Sequence, residues 1–299
     1  MSSKRKVLLI LSVIGLLIAG CSRFGNKANE TVGNRVVVIS NVYNEIIWAL
    51  GAQDKVVGVD VSSTYPAEVK NVQTVGYHRA LSAEGILSLH PDAIIHDNNI
   101  GPPTVVEQLQ TLNIPMKVFT AKNRDVVETK LLIREMGQYF NKTERADELC
   151  NKLDEQMDAS LKAVAKYTDR PRVLVIHYGR ARNTYMLVGK SGDGDAAGAG
   201  KMVEWAGGVS AIEADGMQRM TSPEIVAQAN PDVILVTDFG YDQAGGTIDG
   251  IKALPGVATS NAAKNGRIYR VEENQLMYFG PRTGENILKI ADIIHQKPN

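Results

Sequence analysis

The chain has 299 residues, 33 basic and 33 acidic side chains, five histidines and two cysteines. A balanced charge argues against a nucleic-acid binder, whose surface is ordinarily clearly basic. Two cysteines rule out a disulfide framework and a cysteine-based metal site. The length is enough for two lobes of ordinary domain size.

The first twenty residues have the anatomy of a signal peptide. Lys4, Arg5 and Lys6 form a positive start, and residues 7–18 are an almost unbroken apolar run. That run is shorter than the ~20 residues of a comfortable membrane span. Ile18-Ala19-Gly20 before Cys21 resembles the bacterial lipobox, in which the cysteine is diacylated and becomes the mature N-terminus. Residues 21–33 then read as a lipidated flexible tether. Removing three basic residues with the leader leaves 30 basic against 33 acidic groups, a charge of −3. Cys150 is left unpaired. The reading is an exported protein of the cell envelope, anchored by lipid on Cys21, facing the periplasm or the outside and not spanning the membrane.

Residues 34–123 read as an α/β lobe. Strands are expected at 35–40, 56–59, 93–96 and 116–119, with helices ending at Leu50 before Gly51 and covering 104–112. Between them lies Gly76-Tyr77-His78-Arg79-Ala80-Leu81-Ser82-Ala83-Glu84-Gly85. Its second half is the start of a short helix, with Ser82 as N-cap and Glu84 in the first turn. Its first half places Tyr77, His78 and Arg79 on a loop. In an extended loop Tyr77 and Arg79 face one way and His78 the other. His90 ends the helix and His96 ends the next strand, both as structural residues.

From residue 124 to 168 the apolar positions recur at helical spacing with no strand, and Asn141-Lys142 divides the pattern. This predicts a long, stiff helical connector. Residues 169–299 form a second α/β lobe, with strands at 173–177, 185–188, 233–237 and 267–271. Helices are expected at 201–206, near 248–254 and from 283 to 295. Gly189 to Gly200 fails as a phosphate loop, because Thr184 stands where the first glycine is required. It also lacks the terminal Glu of a calcium loop, and reads as a mobile rim loop.

One internal echo sets the architecture. Ser82 and Glu84 precede Pro91-Asp92 at the same spacing at which Ser222 and Glu224 precede Pro231-Asp232, each time before an apolar strand. The fold class is therefore α/β: two Rossmann-like lobes joined by a long rigid α-helix. In open sheets ligands settle at the carboxyl ends of strands, so the site falls in a cleft between lobes.

These features resemble the class III substrate-binding lipoproteins of ABC importers, which take up vitamin B12, ferric siderophores and haem. The Gly76–Gly85 stretch is similar to that of the haem-binding branch. Ala206-Gly207-Gly208, Leu254-Pro255-Gly256-Val257 and Phe279-Gly280-Pro281-Arg282-Thr283 mark the broader group. The resemblance implies capture of ferric haem b as cargo, with Tyr77 as iron ligand. Tyrosinate is an established ligand of ferric haem, and Arg79 beside it would favour the phenolate. His78 takes a solvent-facing or supporting role.

From the opposite lobe the resemblance implies His177 facing the haem. Arg180 and Arg182 would pair with its propionates, since guanidinium forks suit carboxylates. Tyr278 would be a second phenol or aromatic wall. Glu84 and Glu224 would dock on a homodimeric ABC permease with its ATPase, and the binding protein would act as a monomer. A corrinoid or ferric-siderophore cargo is the alternative. An envelope enzyme such as a chelatase or hydrolase has no G-x-S-x-G or H-E-x-x-H motif to support it. The reading is a binding protein, not an enzyme.

Overall fold

The computed structural model describes residues 33–122, 125–178, 184–188, 195–212, 216–220 and 222–297. The leader, nearly all of the tether with Cys21, and both Arg180 and Arg182 lie outside the described residues.

The first half runs β1 (Val36–Ile39), α1 (Asn41–Leu50), β2 (Val56–Val59), β3 (Gly76–Tyr77), β4 (Ala80–Leu81), α2 (Ala83–Leu87), β5 (Ala93–His96), α3 (Pro103–Thr111) and β6 (Met116–Lys117). β2-β1-β5-β6 form one parallel sheet, and β3-β4 is a separate hairpin. All four residues of β1 and of β5 are buried. Both faces of a parallel sheet are covered, so its central strands are apolar runs rather than alternating, with His96 at the end of β5 the one exception in these two strands. The Ser40 hydroxyl caps α1, and Gly51 closes it at φ 71°, the left-handed backbone that glycine adopts without penalty.

The connector is a hairpin of two helices, α4 (Val126–Tyr139) and α5 (Thr143–Val164), which turn back on each other at Asn141. Lys130 pairs with Asp154 and Arg134 with Asp147, which fixes them antiparallel. Gly137 permits the close approach, since a Cβ there would lie 2.4 Å from the Ala146 Cβ. α5 packs against α12 (Thr283–Ile294) of the second half. The 22 residues of α5 span about 33 Å at the α-helical rise.

The second half contains β7 (Arg172–Tyr178), β8 (Thr184–Val188), α6 (Asp195–Trp205), β9 (Val209–Ser210), β10 (Gly216–Arg219), α7 (Pro223–Ala229), β11 (Val233–Thr237), α8 (Asp238–Gln243), α9 (Ile248–Lys252), α10 (Asn261–Lys264), β12 (Ile268–Val271), α11 (Glu273–Leu276) and α12 (Thr283–Ile294). Its sheet has the order β10-β8-β7-β11-β12, with β9 also on β7. β11 and β12 run parallel to β7, whereas β8 and β10 make an antiparallel edge. The glycine-rich segment is not loop throughout, because α6 begins at Asp195. Gly198 sits on this helix where a Cβ would fall 2.1 Å from the Met277 carbonyl oxygen, so its lack of a side chain serves packing.

The internal echo is a real duplication of local structure. Arg35 opens β1 and Arg172 opens β7. The Arg35 guanidinium donates to the Leu89 and His90 carbonyls after α2; that of Arg172 donates to the Ala229 carbonyl at the end of α7. Asp92 accepts the Arg35 backbone N–H, and Asp232 accepts that of Arg172. His90 (φ 47°) and Asn230 (φ 37°) both take left-handed backbone just before the proline. The recurring Pro-Asp is thus the link between a short helix and a central strand. Each half has its own buried cluster, around Val37, Ile86 and Ile94 in the first and Ile176, Val226 and Ile234 in the second.

Candidate functional site at the facing sheet edges

The carboxyl edges of the two sheets face each other. Asn41, just past β1, donates its side-chain amide to the Asn274 side-chain oxygen just past β12, at 2.6 Å. Asn274 in turn donates to the Thr64 hydroxyl (3.3 Å) beyond β2. The Arg282 guanidinium makes two bonds to the Glu45 carboxylate of α1, at 3.0 and 2.8 Å, and its Cζ lies 3.2 Å from the Tyr65 ring centroid. Both charged side chains are buried. Burial works against the Arg282 charge, and the Glu45 carboxylate more than offsets this, raising its pKa.

Tyr77 lies on this edge. The Gly76 carbonyl accepts the Val61 N–H (2.9 Å) where the chain leaves β2. On the other side, the Gly101 N–H donates to the His78 carbonyl (2.8 Å) and the Leu81 N–H to the Gly101 carbonyl (2.9 Å). The hairpin is therefore held at the carboxyl ends of both β2 and β5. Pairing stops at Tyr77 opposite Ala80, so His78 and Arg79 form its two-residue turn. The expected alternation of side chains fails for that reason. The His78 ring packs on Tyr77 at 4.1 Å between centroids and 47°. Its Nδ1 lies 3.7 Å from the buried Asp60 carboxylate, which is satisfied by Ser62 and Ser63. Arg79 is exposed and donates through Nε to the Asn99 side-chain oxygen (2.8 Å).

The opposite wall centres on His177 near the end of β7. Its Nδ1 is 3.1 Å from the Thr237 hydroxyl and 4.0 Å from Glu273 Oε2. Burial drives its pKa down to about 4, against the opposing pull of Asp238, so the ring is neutral. The Tyr278 hydroxyl donates to Glu273 Oε1 (3.1 Å), and the Glu273 N–H to Asp238 (3.1 Å). The arrangement thus joins His177 and Tyr278 through Glu273, a residue the sequence reading passed over. Its place just past the carboxyl end of β12 is the signal that could have found it.

His96 accepts the Asn98 N–H and is held neutral by burial, which lowers its pKa. Glu84 and Glu224 are both exposed, each in the first turn of its short helix. Ser82 caps α2 by accepting the Gly85 N–H. Ser222 instead donates to the Glu224 carboxylate and holds its pKa below the usual range. Among the described residues no cluster of three or more His, Cys, Asp or Glu side chains could hold a metal ion.

Residues 36–274 match the family described as "Periplasmic binding protein". The chain belongs to this family. The ABC transporter substrate-binding lipoprotein YvrC of Bacillus subtilis (strain 168) is 28% identical over 271 residues, covering 87% of this chain and 80% of YvrC. The vitamin B12-binding protein of Pectobacterium atrosepticum is 27% identical, over 44% of this chain and 46% of its own length. Among solved structures, the periplasmic heme-binding protein RhuT from Roseiflexus sp. RS-1, in apo form, is 31% identical with a TM-score of 0.78. That match covers 88% of this chain and 98% of RhuT. The chain is accordingly a substrate-binding protein of the cell-envelope type, with the two-lobe α/β fold of haem-binding neighbours.

Proposed function

We propose that this periplasmic binding protein captures ferric haem between its lobes and delivers it to an ABC permease. The observation that carries the reading is the likeness to the haem-binding RhuT, which runs over nearly the whole of both chains, whereas the vitamin B12-binding relative matches less than half. The site is chemically suited to it. Tyr77 offers a phenol on a hairpin braced from two strands, and a phenolate is a strong donor to ferric iron. His177 stands on the other wall as a neutral imidazole, the form that ligates metals. Arg180 and Arg182, next in the chain, would take the propionates.

Delivery is assigned to Glu84 and Glu224, equivalent exposed carboxylates on the two halves, which would meet basic pockets of a homodimeric permease coupled to its ATPase. Cys21 would carry the lipid, a reading supported by the lipoprotein YvrC. Titration of the purified protein with hemin should give a Soret band and the charge-transfer features of tyrosinate-ligated ferric haem. Tyr77→Phe should lose those features and most of the affinity. Absence of hemin binding at low micromolar concentration, or a Tyr77→Phe protein with unchanged spectrum and affinity, refutes it. The partial B12-binding matches support a corrinoid as the second reading, and cyanocobalamin binding without hemin binding would establish it.

A further inference from the structure

We infer that Glu273 and Thr237 are positioning residues that hold the His177 imidazole in its Nδ1–H tautomer, leaving the Nε2 lone pair as the ring's metal-binding position. The ligand role of Nε2 rests on the haem reading above; the tautomer does not.

The geometry points one way. A neutral imidazole has one N–H and one lone pair, and the partner of one nitrogen decides the chemistry of the other. His177 Nδ1 faces the Glu273 Oε2 at 4.0 Å and the Thr237 hydroxyl oxygen at 3.1 Å. A carboxylate attracts a nitrogen that carries a proton and repels one that presents a lone pair. The Thr237 hydroxyl, which accepts the Gly240 N–H at the start of α8, can also accept from Nδ1 or donate to it, so the carboxylate, which only accepts, sets the direction. Among the described residues Nε2 has no hydrogen-bond partner.

The carboxylate is itself held. The Tyr278 hydroxyl donates to its other oxygen, and the Glu273 backbone N–H is fixed on Asp238. Among the described residues Asp238 and Glu273 are the charged groups facing the ring. A neutral ring has a single proton, which has to choose a nitrogen. In metal sites a ligating histidine commonly donates its second N–H to a carboxylate or hydroxyl, which fixes the ring and strengthens the donor. Tyr278 acts in this arrangement through Glu273.

The test reads the tautomer first. In ¹⁵N-labelled protein without haem, long-range ¹H–¹⁵N correlation should show His177 with a pyrrole-type Nδ1 and a pyridine-type Nε2. Glu273→Gln should mix the two tautomers, and Glu273→Asp should restore the wild-type pattern. With hemin, Glu273→Gln should weaken binding about 10- to 100-fold, the usual cost of losing a group behind a ligand. Its visible spectrum should move to that of His177→Ala. A pyridine-type Nδ1 in the wild-type protein overturns the inference, as does a Glu273→Gln protein with wild-type tautomer and spectrum. If the wild-type protein fails to bind hemin, the haem reading falls, and the tautomer measurement still decides the role of Glu273.

Discussion

Replacing Glu45 by Ala tests the contact that ties the two halves together. Glu45 and Arg282 are each about 10% exposed and make two bonds of 3.0 and 2.8 Å. Removing one partner of such a pair leaves a buried charge and costs about 3–5 kcal/mol. The Tyr65 ring faces the guanidinium before and after the substitution, so it leaves this difference unchanged. For a unit covering residues 33–299, at roughly 2–4 °C per kcal/mol, the melting temperature should fall by about 6–20 °C. Differential scanning calorimetry on Glu45→Ala, Arg282→Met and the double variant Glu45→Ala with Arg282→Met gives the cycle. The double variant should recover most of the loss, because apolar replacement of both partners removes the stranded charge. A single-variant loss below about 1 kcal/mol would mean that the pair behaves as a solvated surface bridge, and a double variant no better than the singles would refute the stranded-charge argument.

Three further outcomes follow from the structure. His177, with a folded pKa near 4 set by burial, binds fewer protons folded than unfolded between about pH 4 and 6.5, and His96, lowered for the same reason, acts in the same direction below its ordinary pKa. Stability of the haem-free protein should therefore fall as pH drops through that window, by roughly 3 kcal/mol for His177, and His177→Gln should flatten the urea-midpoint profile there. Ser82→Ala should cost about 1 kcal/mol in urea unfolding because it removes a helix cap. Ser222→Ala should cost less, since Ser222 makes no side-chain cap bond; equal losses would contradict the assigned roles. Gly137→Ala should press on Ala146 across the helical hairpin and destabilise by about 1–3 kcal/mol, read as a lower urea midpoint at unchanged slope.

Much of the fold was legible because its signals are local. The apolar runs of β1, β5, β7 and β11 are the central parallel strands. The repeated Ser, Glu and Pro-Asp spacing exposed the two halves because each copy is a short helix passing into a strand. Less legible were the elements that depend on partners far along the chain. The β3–β4 hairpin is two residues per strand, too short for any periodicity, and exists because segments after β2 and β5 brace it. That hairpin also undid the expectation that His78 turns away from Tyr77, since a turn does not alternate. The antiparallel edge strand β10 has no apolar run to announce it.

The sequence by itself determined the class of the protein: two α/β halves and a helical joint, written in runs, caps and spacings of a few residues. It also put Tyr77 and His177 forward as candidates. Only the tertiary structure decided what surrounds them. Glu273 meets His177 and Arg282 meets Glu45 across 96 and 237 residues of chain, so neither partnership leaves a local trace. The physical reason is that a buried charge needs a partner wherever the fold can supply one, and the partner's distance in sequence is irrelevant to that need.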